Sequence, residues 1–305
     1  MDVRKPKCML ASLVLAMLLG SADAQAAEPI QVHVNGVDLS YIEQGQGAPV
    51  ILLHGGIGDY SSWQPQYDTF ARHFRVIAYS RRFSFPNRNF SIPPTYSPWT
   101  DVADLLALLR KLRLHEVRLV GQSAGAFVAL AFALKHPEMV HSLVLAEPPA
   151  HQLVRDTVDG EAAYQDFVAT VLSPTADYFR KGEAQHAMRV FVNGMAATNR
   201  FDSLSPEARA GVMRNARSIE ALSLSSDPFP VLAREDIKRL RMPTLVVTGE
   251  NTIPIHKSVD EELIHVLPNV KSVTIPHAGH GSPRENSSAF NEAVLSFFAT
   301  DENVN

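Results

Sequence analysis

The chain has 305 residues, of which 46% are hydrophobic and 20% charged, with a formal net charge of −4 at pH 7. That balance belongs to a globular protein with a sizeable core, either one large domain or a domain carrying an insertion. Acidic and basic residues are dispersed, so no basic stripe marks a nucleic-acid partner.

Residues 1–26 read as a removable export signal. Arg4, Lys5 and Lys7 precede a mostly apolar run of 13 residues from Cys8 to Gly20, and "SADAQAAEP" then offers small residues spaced for cleavage after Ala24 or Ala26. Spanning a bilayer takes roughly 20 apolar residues, so no stable membrane anchor is expected after cleavage. The product is expected outside the cytoplasm, in the periplasm or secreted. Cys8 is the one cysteine of the sequence. The mature chain therefore needs no disulfide in an oxidising compartment and has no thiol nucleophile.

"QVHVNGVDLSYIEQG" alternates about Asn35-Gly36, the pattern of a hairpin. "VILLHGG" is a buried strand entering a glycine turn, "SSWQPQYDTFARHF" a helix and "RVIAYS" a strand. "TDVADLLALLRKLRL" reads as a helix capped by Thr100. "VRLVGQS" is a strand, "AGAFVALAFALKHP" a helix that stops at Pro137, and "HSLVLAE" a further strand. "PTLVVTG", a helix near 257–266, "KSVTIP" and a last helix near 288–298 complete the series. Continuous apolar strands alternating with helices predict an α/β fold, with a mainly parallel sheet covered on both faces. Between Pro148 and about Arg241 the pattern changes. "EAAYQDFVATVL" and "EARAGVMRNARSIEAL" are helical and "SLSSDPFP" is a loop, so 149–240 reads as a helical cap inserted into a core formed by 27–148 and 241–305.

Three short stretches carry chemistry. "GQSAG", Gly121 to Gly125, follows a β-branched strand and opens an alanine-rich helix. That is the context in which Gly-x-Ser-x-Gly sets a serine on a sharp strand-to-helix turn. "HGG", His54 to Gly56, follows the first strong buried strand. The backbone N–H groups of Gly56 and of Ala124 are the candidate oxyanion donors, and His54 is read as turn packing. "HAGHG", His277 to Gly281, follows the last strand. His280 is the candidate general base for Ser123, and His277 is read as a loop residue. No His-Glu-x-x-His spacing and no dinucleotide loop appears, so no metal or cofactor is expected.

With "LLHGGIGDYSSW", "VIAYSRR", "LVGQSAGAFVALAFALKHPEMVHSLVLAEPP", "PTLVVTGE" and "IPHAGHGSPRENSSAF", the sequence resembles the α/β-hydrolase fold family over nearly all of the mature chain. The resemblance implies an eight-stranded type of sheet, Ser123 as nucleophile, His280 as base, and an acid after "PTLVVTGE". That place holds Thr252. In this fold "HSLVLAE" should lie beside the nucleophile's strand, with Glu147 at its carboxyl end, 24 residues after Ser123. Haloalkane dehalogenases and zearalenone-type lactone hydrolases are similar in placing the acid there, so Glu147 is the candidate acid. Glu250 is its rival, with Asp260 and Glu261 further off. The resemblance implies a serine hydrolase of a small-molecule carboxylic ester or lactone. The alternatives are a carbon–carbon bond hydrolase of the ring-cleavage type and a ligand-binding receptor on a hydrolase scaffold. For the former, Arg81 or Arg82 could pair with a substrate carboxylate, although both read more simply as solvated loop residues.

Overall fold

The computed structural model describes residues 28–301, so the expected export signal lies outside the described residues. Eight strands form one sheet: β1 (Ile30–Val34), β2 (Val37–Gln44), β3 (Pro49–Leu53), β4 (Arg75–Tyr79), β5 (Val117–Gln122), β6 (Val140–Ala146), β7 (Thr244–Gly249) and β8 (Val270–Ile275). Their spatial order is β1-β2-β4-β3-β5-β6-β7-β8. The pairings β1–β2 and β2–β4 are antiparallel. The other five are parallel. Asn35 and Gly36, at φ 47° and 72°, make the left-handed two-residue turn whose twist suits a hairpin.

Before the cap come α1 (Gln64–Phe70), α2 (Pro98–Lys111) and α3 (Ala124–Lys135). The interval between β6 and β7 holds α4 (Val158–Phe167), α5 (Ser173–Arg180), α6 (Ala184–Ala196), α7 (Arg200–Ser203), α8 (Pro206–Met213), α9 (Ala216–Ser223) and α10 (Arg234–Ile237). After it come α11 (Pro254–Val266), α12 (Ser282–Glu285) and α13 (Ser287–Asp301).

The apolar runs are continuous because both sheet faces are covered. Ile51 and Leu53 pack with α2, α3 and α11 on one face. Val50 and Leu52 pack with Phe70 of α1 and Phe290 and Phe298 of α13 on the other. Period-two alternation thus sends successive residues of β3 into two different cores. Residues 124–133 of α3 are all buried, as a helix apolar on every side must be. The cap has a small core of its own around Phe179, Met188, Val192, Phe201 and Ile219. Arg234 pins it to the main body by bonding both Asp156 and Glu262.

Three local expectations change. The helix over 61–74 is a short 3₁₀ turn at Tyr60–Trp63 followed by α1, which starts afresh at Gln64 with Pro65 in its first turn, where proline loses no hydrogen bond. Helix α2 begins at Pro98 after an extended Ser97, so Thr100 lies inside its first turn and is not its cap. The 207–222 stretch is two helices. They are separated at Asn215, whose side chain bonds Asp59 and the Phe85 N–H.

Candidate active site

Parallel pairing brings the carboxyl ends of β5, β6, β7 and β8 side by side, the edge where open α/β sheets place their sites. Ser123 follows β5 directly, at φ 53° and ψ −124°. A non-glycine residue there costs about 1–3 kcal/mol and needs surroundings that enforce it. The enforcement is visible. The Ser123 N–H donates to the Ala146 carbonyl at 2.8 Å, and the Phe127 N–H to the Ser123 carbonyl at 3.0 Å. A Cβ on Gly121 would lie 2.5 Å from the Ala126 Cα, and one on Gly125 only 2.1 Å from the Leu53 carbonyl oxygen. Both flanking glycines are therefore required by backbone approach.

The His54–Gly56 turn abuts this elbow. A Cβ on Gly55 would come within 3.3 Å of the Ser123 Cβ. Gly56, Ser123 and Ala124 line one cavity. Ile219 of the cap presses on Gly56, its Cδ1 only 2.6 Å from where a Cβ would sit. His54 is buried with both ring nitrogens committed: Nε2 accepts from the Arg81 N–H at 2.9 Å, and Nδ1 lies 2.7 Å from the Gly55 carbonyl. It packs the turn.

Glu147 directly follows the neighbouring strand β6, at φ 50°, and is 1% exposed. Its Oε2 lies 2.7 Å from the His280 Nδ1. The same oxygen accepts from the Thr252 Oγ1 at 2.6 Å, and Oε1 accepts from the Gly249 N–H at 2.7 Å. Thr252 thus occupies the place where an acid was expected and donates to the glutamate that reaches in from β6. The carbonyl of His280 is held by the Gln122 side chain at 2.9 Å, which ties the histidine loop to the strand carrying the elbow.

Comparison with known proteins agrees with this arrangement of the sheet. Residues 48–286 match the family model described as alpha/beta hydrolase fold. The chain belongs to the α/β-hydrolase fold family. Among curated relatives, the 2-hydroxy-6-oxo-6-(2'-aminophenyl)hexa-2,4-dienoic acid hydrolase of Metapseudomonas resinovorans is 27% identical over 277 residues, covering 88% of this chain and 90% of that protein. Among solved structures, carboxylesterase CesB of Bacillus subtilis superposes with a TM-score of 0.71 at 19% identity, covering 90% of this chain and 92% of that one. An N-acyl homoserine lactone degrading enzyme superposes with a TM-score of 0.68 at 23% identity, covering 88% and 100%. These structural likenesses speak to the fold.

Within this α/β-hydrolase the rival acids are placed elsewhere. Glu250 is half exposed and accepts from the His277 backbone N–H at 2.7 Å, so it shapes the turn in which His277 stands exposed. Asp260 is buried on α11 and accepts from the Thr248 Oγ1 at 2.6 Å. Burial, and then the nearby Glu147, hold its carboxyl well above the usual range. Glu261 lies on the exposed face of the same helix.

Arg81 and Arg82 are not solvated loop residues. Both are buried against α2. Arg81 donates to Asp101 at 3.2 Å, and Arg82 makes a two-pronged pair with Asp104 at 2.6 and 2.8 Å. Asp101 and Asp104, three apart on a helix, share one face and meet the two arginines together. The signal was present as two aspartates on the buried stripe of α2.

Two histidines that the motifs did not single out also line the cavity. His151 stands in the 3₁₀ turn His151–Val154 just after β6, and His256 in the first turns of α11. The His256 ring stacks on that of His280, with centroids 4.3 Å apart and planes 11° apart. Its trace in the sequence is a histidine on the buried stripe formed by Ile255, His256, Val259, Asp260 and Leu263. Glu147, His256 and His280 bring ligand-type atoms within 4.8 Å of one another. Nearly parallel stacked rings cannot aim in-plane lone pairs at one ion, so this cluster reads as a stack and not as a metal centre.

Three buried histidines have a consequence for stability. Burial, reinforced by Arg81, pushes His54 down to about 3. Burial, reinforced by His280, pushes His151 down to about 3 and His256 well below its ordinary value. In the unfolded chain all three protonate near pH 6.5. Between about pH 6.5 and 3 the unfolded state therefore binds more protons than the folded one, and stability falls as pH falls. Each group contributes about 1.4 kcal/mol per pH unit once well inside that window. Thermal melts are expected to show Tm declining steeply below about pH 6, with His151→Phe making the decline shallower.

Proposed function

We propose that this chain is a serine hydrolase that cleaves a carboxylic ester or lactone through an acyl-enzyme, with Ser123 as nucleophile, His280 as general base and Glu147 as its acid. The observation that carries the reading is the 2.7 Å contact between Glu147 and the His280 Nδ1 at the edge where Ser123 sits on its strained turn. A carboxylate accepts from Nδ1–H, which leaves Nε2 unprotonated and free to take a proton. Ser123 Oγ attacks the carbonyl as His280 takes its proton. The N–H groups of Gly56 and Ala124 hold the oxyanion. Collapse breaks the ester C–O bond, and His280 returns the proton to the leaving alcohol. Water, deprotonated by His280, then attacks the acyl-enzyme and releases the acid and free Ser123.

The committed arginines favour ester or lactone cleavage over ring-cleavage chemistry on an acidic substrate. Arg81 and Arg82 already face Asp101 and Asp104, which leaves little net charge for a substrate carboxylate. The test is a screen of purified protein against p-nitrophenyl esters of graded length, lactones and vinylogous diketones, alongside fluorophosphonate labelling. Ester or lactone turnover with labelling at Ser123 is expected. Turnover of the diketones alone would favour the carbon–carbon reading, and the absence of both turnover and labelling would favour a binding protein on this scaffold. We further propose export: the mature product is expected to begin at Gln25 or Ala27 outside the cytoplasm. N-terminal sequencing checks this, and an intact Met1 in the cytosol would overturn it.

A further inference from the structure

The cavity beside Ser123 has mostly apolar walls, formed in part by Phe167, Leu172 and Phe229. Into these walls the fold places two imidazoles. His151 and His256 are both fully buried, their ring centroids are 5.7 Å apart, and none of their four ring nitrogens has a hydrogen-bond partner. Leaving a buried donor or acceptor unpaired costs about 1–3 kcal/mol each, and native interiors rarely tolerate it. An apolar cavity serving only hydrocarbon would be better lined by phenylalanine.

We infer that His151 and His256 form a recognition subsite for an uncharged oxygen group of the substrate, a ketone, hydroxyl or amide, close to the bond being cleaved. The inference rests on the serine-hydrolase reading above and names its substrate class. Each neutral imidazole offers one N–H donor and one nitrogen acceptor, so the pair can both donate to a carbonyl and accept from a hydroxyl or amide N–H. Burial keeps both rings neutral, His151 being pushed down to about 3. A carboxylate would therefore lose its hydration here and meet no counter-charge. The aromatic rings around His151, Phe229 at 4.8 Å and Phe167 at 5.3 Å, suit a planar or apolar body carrying that oxygen. Position follows from the stack: His256 lies one ring thickness from His280, so a group bound by His256 lies beside the base. The two histidines also come from different parts of the chain. His151 opens the segment leading into the cap and His256 belongs to α11 of the core. A bound oxygen group would bridge them.

The experiment measures kcat/KM on p-nitrophenyl alkanoates and on matched esters bearing an oxo or hydroxyl group at successive carbons of the acyl chain, each normalised to its uncatalysed rate. For at least one position the oxygenated ester is expected to be preferred by about 10² or more, because a site built to hydrogen-bond rejects analogues that cannot. His151→Phe and His256→Phe keep an aromatic ring but remove the nitrogens. Each is expected to reduce that ratio at least about tenfold, whatever happens to absolute rates, while Ser123 still labels with fluorophosphonate. A parent ratio near one at every position would mean that water, not substrate, satisfies these nitrogens, and it overturns the inference without any variant. A ratio that survives both substitutions overturns it as well. Neither turnover nor labelling in the parent would instead overturn the serine-hydrolase reading, and this inference with it.

Discussion

Ser123→Ala is expected to lower kcat on any ester this protein cleaves by on the order of 10⁶, the usual effect of removing a triad nucleophile. Covalent labelling by a fluorophosphonate should vanish with it. The fold should remain, because what enforces φ 53° at this position is backbone: the Ser123 N–H to Ala146 bond and the close approach of residues 121 and 125 to their neighbours. Alanine carries the same backbone strain as serine, so the unfolding transition should stay near that of the parent. Far-ultraviolet circular dichroism and a thermal melt check the fold, and stopped-assay kinetics check the rate. Undiminished turnover with labelling intact would mean that another residue is the nucleophile.

The second large effect is expected at Glu147. Three donors converge on its two oxygens, from Gly249, Thr252 and His280. Glutamine keeps the shape but offers one oxygen and one NH₂ to those three donors. Either a donor is left facing another donor, or His280 moves its proton to Nε2, the tautomer that cannot act as base toward Ser123. A loss of roughly 10²–10⁴ in kcat is expected, with the fold retained. Glu250→Gln should cost far less, since that carboxylate holds the His277 backbone and does not bond His280. Thr252→Val removes one donor from the Glu147 Oε2 and should have an effect between the two. Measured kcat for the three variants settles the order. A crippled Glu250→Gln beside a nearly active Glu147→Gln would assign the acid to the later strand.

Much of this was legible without coordinates because it is encoded locally. Parallel strands covered on both faces are mostly apolar on successive residues, so β3 and the apolar stretches Leu143–Ala146 of β6 and Leu245–Val247 of β7 stand out, even though β5 and β6 also carry Arg118, His141 and Ser142. The elbow is readable because a reversing backbone leaves no room for a Cβ at Gly121 or Gly125, and the hairpin because Asn35-Gly36 tolerates two left-handed residues. Even the neighbourhood of Glu147 followed from local facts. Its strand comes next after the helix that follows Ser123, and successive parallel strands tend to lie side by side.

What the sequence could not carry were contacts between side chains far apart in the chain. Arg81 and Arg82 looked like loop residues, since whether a strand-end arginine meets water or a carboxylate depends on where α2 comes to lie. Thr252 looked like an empty seat. Only the packing of β7 against β6 makes it a donor to Glu147 across 105 positions of chain. His151 and His256 had no motif to mark them, because a stacked or desolvated imidazole is defined by what closes over it and not by its sequence neighbours. Local backbone geometry writes itself into residue type at fixed spacing. The partners of a buried polar side chain are chosen by the fold as a whole.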